Sequence, residues 1–138
     1  MRSAKAVMVF GVFDRLHPGH RYFLREARKC GRKLVVVVAR DKVVRKLKNK
    51  LPSQNERQRL RIIRELPYVS QAVLGDAAEG KYEVVKRYRP DLICLGYDQK
   101  ALGRDLVSRI RRGSLPKIKL VYTRAYYPNR YHSPKAGL

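Results

Sequence analysis

Two histidines flank a proline–glycine pair in His17-Pro18-Gly19-His20, a few residues after the turn Gly11-Val12-Phe13-Asp14. Gly11 directly follows a short apolar run, where the lack of a side chain lets the backbone approach a ligand closely. Pro18 stands where a proline can open a helix. The free N–H groups and dipole of such a helix start favour a phosphate. Imidazoles on either side of Gly19 can donate hydrogen bonds to that anion. The plainer use of the same residues is structural, with His17 capping the helix and His20 packing on its first turn. The chemistry suggested is the holding of phosphate groups.

Other loops carry groups of related character. Arg40-Asp41-Lys42 is followed by Arg45, Lys46, Lys48 and Lys50, a cationic stretch that reads either as a solvated helix face or as an arm closing over a polyanion. In Glu56-Arg57-Gln58-Arg59, the arginines offer forked donors whose charge does not depend on pH. Gly96-Tyr97-Asp98-Gln99 combines a glycine, a short acid and an amide that can read a base or hold a ribose; a helix-capping turn at Asp98 is the plainer alternative.

The elements that must position these loops alternate between extended and helical patterns. Ala4–Phe10 reads as a strand, His20–Cys30 as a helix closed by Gly31, and Lys33–Ala39 as a β-branched strand covered on both faces. Ser53–Leu66 opens with the pair Ser53 and Glu56, a capping-box spacing, and carries an apolar stripe of Leu60, Ile62, Ile63 and Leu66. Strands at Gln71–Leu74, Asp91–Leu95 and Lys117–Tyr122 alternate with helices at Gly80–Arg89 and Ala101–Arg112. Strands separated by helices of about 10 to 14 residues imply βαβ units. The expected fold is a single doubly wound, Rossmann-like α/β domain over residues 1–138, with a parallel five-stranded sheet. Residues 123–138, polar and tyrosine-rich with Pro128 and Pro134, are expected to form an irregular tail. Ligands of such folds sit beyond the carboxyl ends of the strands, where strand order reverses.

Composition bounds the partners. The chain has 138 residues, 33 Lys+Arg and 11 Asp+Glu, for a formal charge of +22. Hydrophobic residues make up 44%, too many for a disordered charged tail. No apolar run approaches the roughly 18 residues of a membrane-spanning helix, and the start of the chain lacks the pattern of a signal peptide. Cys30 and Cys94 lie in apolar stretches without CxxC spacing and read as reduced core thiols of a cytoplasmic protein. No His/Cys cluster has metal-ligand spacing, so no protein-bound metal is expected.

The HxGH stretch, His17 to His20, resembles the nucleotidyltransferase superfamily of that signature. Gly11-Val12-Phe13-Asp14 resembles the G-T-F-D of its cytidylyltransferase-like branch, with Val12 in place of threonine. Leu95-Gly96-Tyr97-Asp98-Gln99 is similar to the L-G-x-D-Q of archaeal-type FAD synthetases, as Val38-Ala39-Arg40-Asp41 is to their V-A-R-D. The tail, with Arg124-Ala125-Tyr126 and His132-Ser133-Pro134-Lys135, is similar to their R-G-Y and H-S-S, although Pro134 replaces the second serine.

That resemblance implies FMN adenylyltransferase activity, with ATP and FMN giving FAD and pyrophosphate, and Mg²⁺ accompanying ATP. It implies that His17 and His20 hold the α- and β-phosphates, while Arg59, Lys48 and the region of Ser133 hold the departing phosphates. Gly11, Val12, Phe13, Pro18 and Gly19 line the nucleotide, and Gly96, Tyr97, Asp98, Gln99 and Tyr126 form its adenosine side. Asp14, Arg40, Asp41, Lys46 and Lys135 are further candidates for phosphate or substrate contacts. The lysine-bearing segment is expected to be a flexible arm, with Lys48 ahead of Lys46 as the phosphate ligand. The tyrosine-rich tail has packing on the domain or on a dimer mate as its alternative. Single-domain relatives are commonly homodimers. The nearest competing function is a glycerol-3-phosphate cytidylyltransferase or a related CTP-using enzyme. A nucleic-acid-binding protein is more remote, with such binding expected only as a side effect of the basic charge.

Overall fold

The valine-rich run at Leu34–Val38 is buried along its whole length, which requires cover on both faces of the sheet that contains it. The computed structural model describes residues 4–78 and 80–124. Its elements are β1 (Ala4–Gly11), α1 (Pro18–Arg28), β2 (Gly31–Val38), α2 (Asp41–Lys48), α3 (Glu56–Arg64), β3 (Gln71–Leu74), α4 (Glu83–Tyr88), β4 (Leu92–Leu95), α5 (Lys100–Arg112) and β5 (Lys119–Tyr122). The five strands form one parallel sheet in the order β3-β2-β1-β4-β5. This is the expected single doubly wound α/β domain, with its switch point between β1 and β4.

Alternation along each strand divides the core. Val7 and Val9 of β1, with Leu34, Val36 and Val38 of β2, pack with Leu24 and Ala27 of α1 and Ile63 of α3. Met8, Val35, Val37, Ile93 and Leu95 face the other way, against Val85 of α4 and Leu106 of α5. Leu24 is completely buried, and truncating such a residue to alanine costs about 2–5 kcal/mol. At the amino ends of the strands, Asp91 Oδ2 accepts the Lys5 and Ala6 amides and Ser70 Oγ accepts the Leu34 amide. These contacts anchor the end of the sheet remote from the loops of interest.

The two halves of the sheet are joined unequally. β1 pairs with β2 from Ala4↔Gly31 to Gly11↔Val38, but with β4 only at Val7↔Leu92 and Met8↔Ile93. Beyond Met8 and Ile93 the central strands diverge towards their carboxyl ends. A wedge opens there.

Several boundaries differ from the sequence reading. Asp41–Lys48, expected as a flexible arm, is the helix α2, ending at Asn49 in the left-handed conformation (φ 59°). Val43, Val44 and Leu47 give it an apolar side, and Asp41 at its start with Lys46 and Lys48 in its last turn suit the helix dipole. The capping box of α3 is Asn55 with Gln58, not Ser53 with Glu56, each side chain accepting the other's amide at 2.9 Å. α4 begins only at Glu83 because Tyr82 is left-handed (φ 51°) and breaks the helical path, while Asp76 accepts the Glu83 and Val84 amides.

Candidate functional site

The loop after β1 is built around a buried aromatic ring. Phe13 is 4% exposed in the left-handed conformation (φ 53°), and Arg15 shares that conformation (φ 52°). A methyl group at Gly11 would lie 2.6 Å from the Phe13 ring. Gly11 therefore makes room for the ring of its own loop. His20 meets Phe13 edge-on, with ring centroids 5.5 Å apart.

His17 and His20 form a stacked pair, centroids 3.6 Å apart and planes 20° from parallel. His17 Nδ1 accepts the Gly19 and His20 amides at 3.1 and 3.4 Å, and His20 Nδ1 accepts the His17 amide at 3.2 Å. Each ring thus uses one edge to cap α1. An accepting Nδ1 puts the proton of the neutral ring on Nε2, so both opposite edges carry a donor. Capping and phosphate binding are compatible uses of the same side chains. Burial, reinforced by the neighbouring His17, lowers the His20 pKa to about 4, against a smaller opposing effect of Asp14. His20 is therefore a neutral donor at physiological pH.

The sequence pattern predicts free N–H groups at the start of α1. The first-turn amides of α1 are not free: Gly19 and His20 donate to His17 Nδ1, Arg21 donates to the His17 carbonyl, and Pro18 has no N–H. The donors this helix start leaves for an anion are the imidazole edges rather than backbone N–H groups.

Arg59 is also placed differently from a ligand arginine. It is the one fully buried charged side chain among the described residues. Its Nη1 donates to the carbonyls of Val12 (2.8 Å) and Ala39 (2.9 Å), Nε to that of Gln54 (3.0 Å), and Nη2 to Asp41 Oδ1 (2.6 Å). One side chain therefore ties together the loop after β1, the loop after β2 and the entry to α3. Asp41 is its partner and does not line the cleft. Both residues act on the site by positioning its loops. Arg59 lies four and seven residues before Ile63 and Leu66, both buried, and that helical spacing is the sequence signal for its inward direction.

Asp14 makes a second link. Its carboxylate accepts the Ser53 and Gln54 amides at 2.8 and 2.9 Å, and the Arg15 amide donates to Gln54 Oε1. Burial works to raise the Asp14 pKa, but those two amides and the charges of Arg59 and Arg15 outweigh it and hold the group below its ordinary value. Arg40 donates from Nε to the Gly75 carbonyl at 2.7 Å.

In the wedge between β1 and β4, Gln99 does the work of the lost strand pairing. Its Oε1 accepts the Gly96 amide and its Nε2 donates to the Phe10 carbonyl, both at 2.9 Å. Asp98 does not cap α5; the N-cap residue is Gln99, without a side-chain cap bond. A methyl group at Gly96 would come within 3.0 Å of Asp98 Oδ1.

These loops enclose a cleft of about 1440 Å³ at the carboxyl ends of the strands. Gly11, Val12, Phe13, Asp14, His17, Pro18, Gly19 and His20 line it, as do Arg40, Lys48, Gly96, Tyr97, Asp98 and Gln99. Lys46 does not. Tyr126, Ser133 and Lys135 lie outside the described residues. The cleft also brings in Lys50 of the cationic stretch and residues the sequence pattern did not single out, including Tyr22, Tyr82, Leu102, Asp105 and Arg109. The spacing of Asp105 and Arg109, four apart on a helix, was the available signal for the last two.

Residues 8–121 match the family described as cytidylyltransferase-like. The FAD synthase of Aciduliprofundum boonei is 48% identical over 120 residues, covering 87% of this chain and 78% of the relative. That of Methanothermobacter thermautotrophicus is 46% identical over 114 residues, covering 80% and 74%. A solved structure from Thermoplasma volcanium, described as a lipopolysaccharide core biosynthesis protein, superposes with a TM-score of 0.81 at 41% identity, covering 90% of this chain and 99% of the other.

Proposed function

The chain belongs to the cytidylyltransferase-like family, and from that premise we propose that it is an FMN adenylyltransferase, transferring AMP from ATP to FMN with release of pyrophosphate. The observation that carries this reading is the stacked histidine pair, whose Nδ1 edges hold the helix start while the opposite edges are left to donate in the cleft. High identity to archaeal FAD synthases supports the choice of substrates.

An oxygen of the FMN phosphate attacks the α-phosphorus of ATP in line. The bond from the α-phosphorus to the bridging oxygen breaks, and pyrophosphate leaves with the electron pair. A phosphate monoester is already anionic near neutral pH, so catalysis rests on positioning and charge stabilisation. His17 and His20 donate from Nε2–H to the α- and β-phosphates. Lys48 and Arg40 face the departing charge, Gly96 to Gln99 and Tyr126 form the adenosine side, and Ser133 and Lys135 contribute from the tail. Arg59 and Asp41 position the loops that carry these groups.

Mg²⁺ enters in this reading as part of the nucleotide substrate. The described residues contain no group of three or more His, Cys, Asp or Glu side chains able to cage a metal, and both Asp14 oxygens already accept amides. A cation carried on triphosphate oxygens and water is what Mg²⁺ prefers. The reading also includes a cytoplasmic homodimer. Among the described residues no helix is long and apolar enough to cross a membrane.

Pyrophosphate release with Mg²⁺, comparing ATP and CTP with FMN or glycerol 3-phosphate, tests the proposal. Turnover confined to ATP with FMN is expected. Turnover with CTP and glycerol 3-phosphate would replace the substrates while keeping the roles of the histidines.

A further inference from the structure

The cleft has two chemically distinct halves. Around His17, His20, Arg40 and Lys48 it offers donors and positive charge beside apolar side chains such as Val43 and Leu47, whereas its other half lies on the α4–α5 side of the sheet and sets Phe10, Tyr82 and Leu102 beside the Asp105–Arg109 pair. We propose that this second half, walled by Phe10, Tyr82 and Leu102 with Arg109 at its edge, binds the isoalloxazine ring of the acceptor. The inference rests on the adenylyltransferase reading and deepens it.

Phe10 immediately precedes Gly11, so the aromatic wall and the phosphate loop are adjacent along β1. A ligand whose phosphate lies over Gly11 can place a flat ring beyond Phe10. Tyr82 is held from three directions. Its hydroxyl donates to Asp105 Oδ2 at 2.7 Å, the Phe10 ring meets it edge-on at 6.4 Å, and the Arg109 guanidinium lies 5.2 Å from its ring centroid. A non-glycine residue in left-handed backbone persists where its surroundings over-determine it, and such places cluster at ligand sites. The hydrogen bond from Tyr82 lowers the Asp105 pKa, and Arg109 adds to this against the opposing effect of burial. The carboxylate therefore remains a charged anchor for both.

Arg109 spends only Nε on Asp105, at 3.1 Å. Among the described residues its two Nη atoms make no hydrogen bond, which leaves the outer end of the fork for a carbonyl-bearing edge. Isoalloxazine has the matching polarity, with an apolar dimethylbenzene edge and a pyrimidine edge bearing carbonyl oxygens. Triphosphate and ribose have no use for an aromatic wall.

The test uses the full chain with ATP, FMN and lumiflavin, which is the ring without its phosphorylated side chain. Lumiflavin should inhibit competitively against FMN and not against ATP. Arg109→Gln and Leu102→Gln should each raise the KM for FMN about tenfold or more while the KM for ATP stays unchanged. Melting curves of both variants report folding, and the lumiflavin experiment on the unmodified chain stands even if a variant fails to fold. Turnover of FMN that lumiflavin does not inhibit, with unchanged FMN KM in the folded variants, would place the ring elsewhere and leave the enzymatic reading intact. A rise confined to the KM for ATP would give this half of the cleft to the base and equally overturn the inference. No turnover of ATP with FMN by the unmodified chain would instead sink the adenylyltransferase reading itself.

Discussion

Arg59 and Asp41 meet at 2.6 Å with the guanidinium fully buried, and the three other hydrogen bonds of Arg59 end on backbone carbonyls of three separate segments. The pair therefore sets where the loops lining the cleft stand relative to one another. Removing one member of a buried ion pair costs about 3–5 kcal/mol, and the partial exposure of Asp41 favours the lower end. Arg59→Ala should lower the melting temperature by about 10 °C, with Arg57→Ala, on the exposed side of α3, nearly neutral. Arg59→Lys should recover little, because an ammonium cannot span four acceptors in the geometry of a planar fork. An Arg59→Ala protein that melts like the parent would refute the positioning role.

The double duty of His17 can be separated by substitution. His17→Ala removes the cap, at about 0.5–2 kcal/mol, together with the proposed phosphate donor. Asparagine caps well but cannot reproduce the donor on the opposite ring edge. His17→Asn should therefore restore most of the lost melting temperature while turnover stays at least ~100-fold down. Recovery of turnover together with stability would reduce His17 to a capping residue. His20→Ala should cut turnover by a similar factor.

Acid should act through His20. Its pKa is lowered from 6.5 to about 4 in the folded chain, so the unfolded chain binds the extra proton first as pH falls. The stability due to keeping this ring neutral is complete above about 6.5 and is lost as pH drops from there towards 4. Proton NMR of the imidazole resonances should show His20 still neutral at pH 5.5. A midpoint near 6.5 would show that the burial assigned to this ring is wrong.

Gly11→Ala should fail for a steric reason that its place in β1 does not reveal. The added methyl meets the Phe13 ring at 2.6 Å, and that ring is buried under a left-handed backbone. Overpacking of this sort costs about 1–3 kcal/mol. Gly11→Ala combined with Phe13→Leu should regain part of the stability lost, as read by urea denaturation; strict additivity of the two losses would show that they do not touch.

The strands were legible because β-branched runs such as Leu34–Val38 have one comfortable conformation, and the histidines because their spacing places both at a helix start. The family resemblance makes Arg59 a phosphate ligand, whereas its spacing from Ile63 and Leu66 points inward, and the structure buries it among loop carbonyls. In α2 the apolar signal of Val43, Val44 and Leu47 is weaker than that of the basic residues around it. Tyr82 lay beyond reach, since nothing in a local pattern announces a tyrosine in left-handed backbone. The Asp105–Arg109 spacing gave no reason to look across the sheet towards Phe10.

Gln99, held at both ends of its amide, cannot flip. Gly96 fixes the oxygen and Phe10 fixes the nitrogen, so the spare lone pair and the spare N–H present a fixed polarity to the cleft. A glutamine free to rotate reads amino and keto bases alike, whereas this one is a one-way key. Adenine and cytosine both place an exocyclic amino donor beside a ring acceptor, while guanine and uracil reverse that order. Where the locked amide edge meets the base, it sorts nucleotides by tautomeric pattern and is blind to ring size, and CTP should then compete with ATP better than GTP or UTP does. Equal inhibition by all three would mean that Gln99 supports the sheet without reading the base.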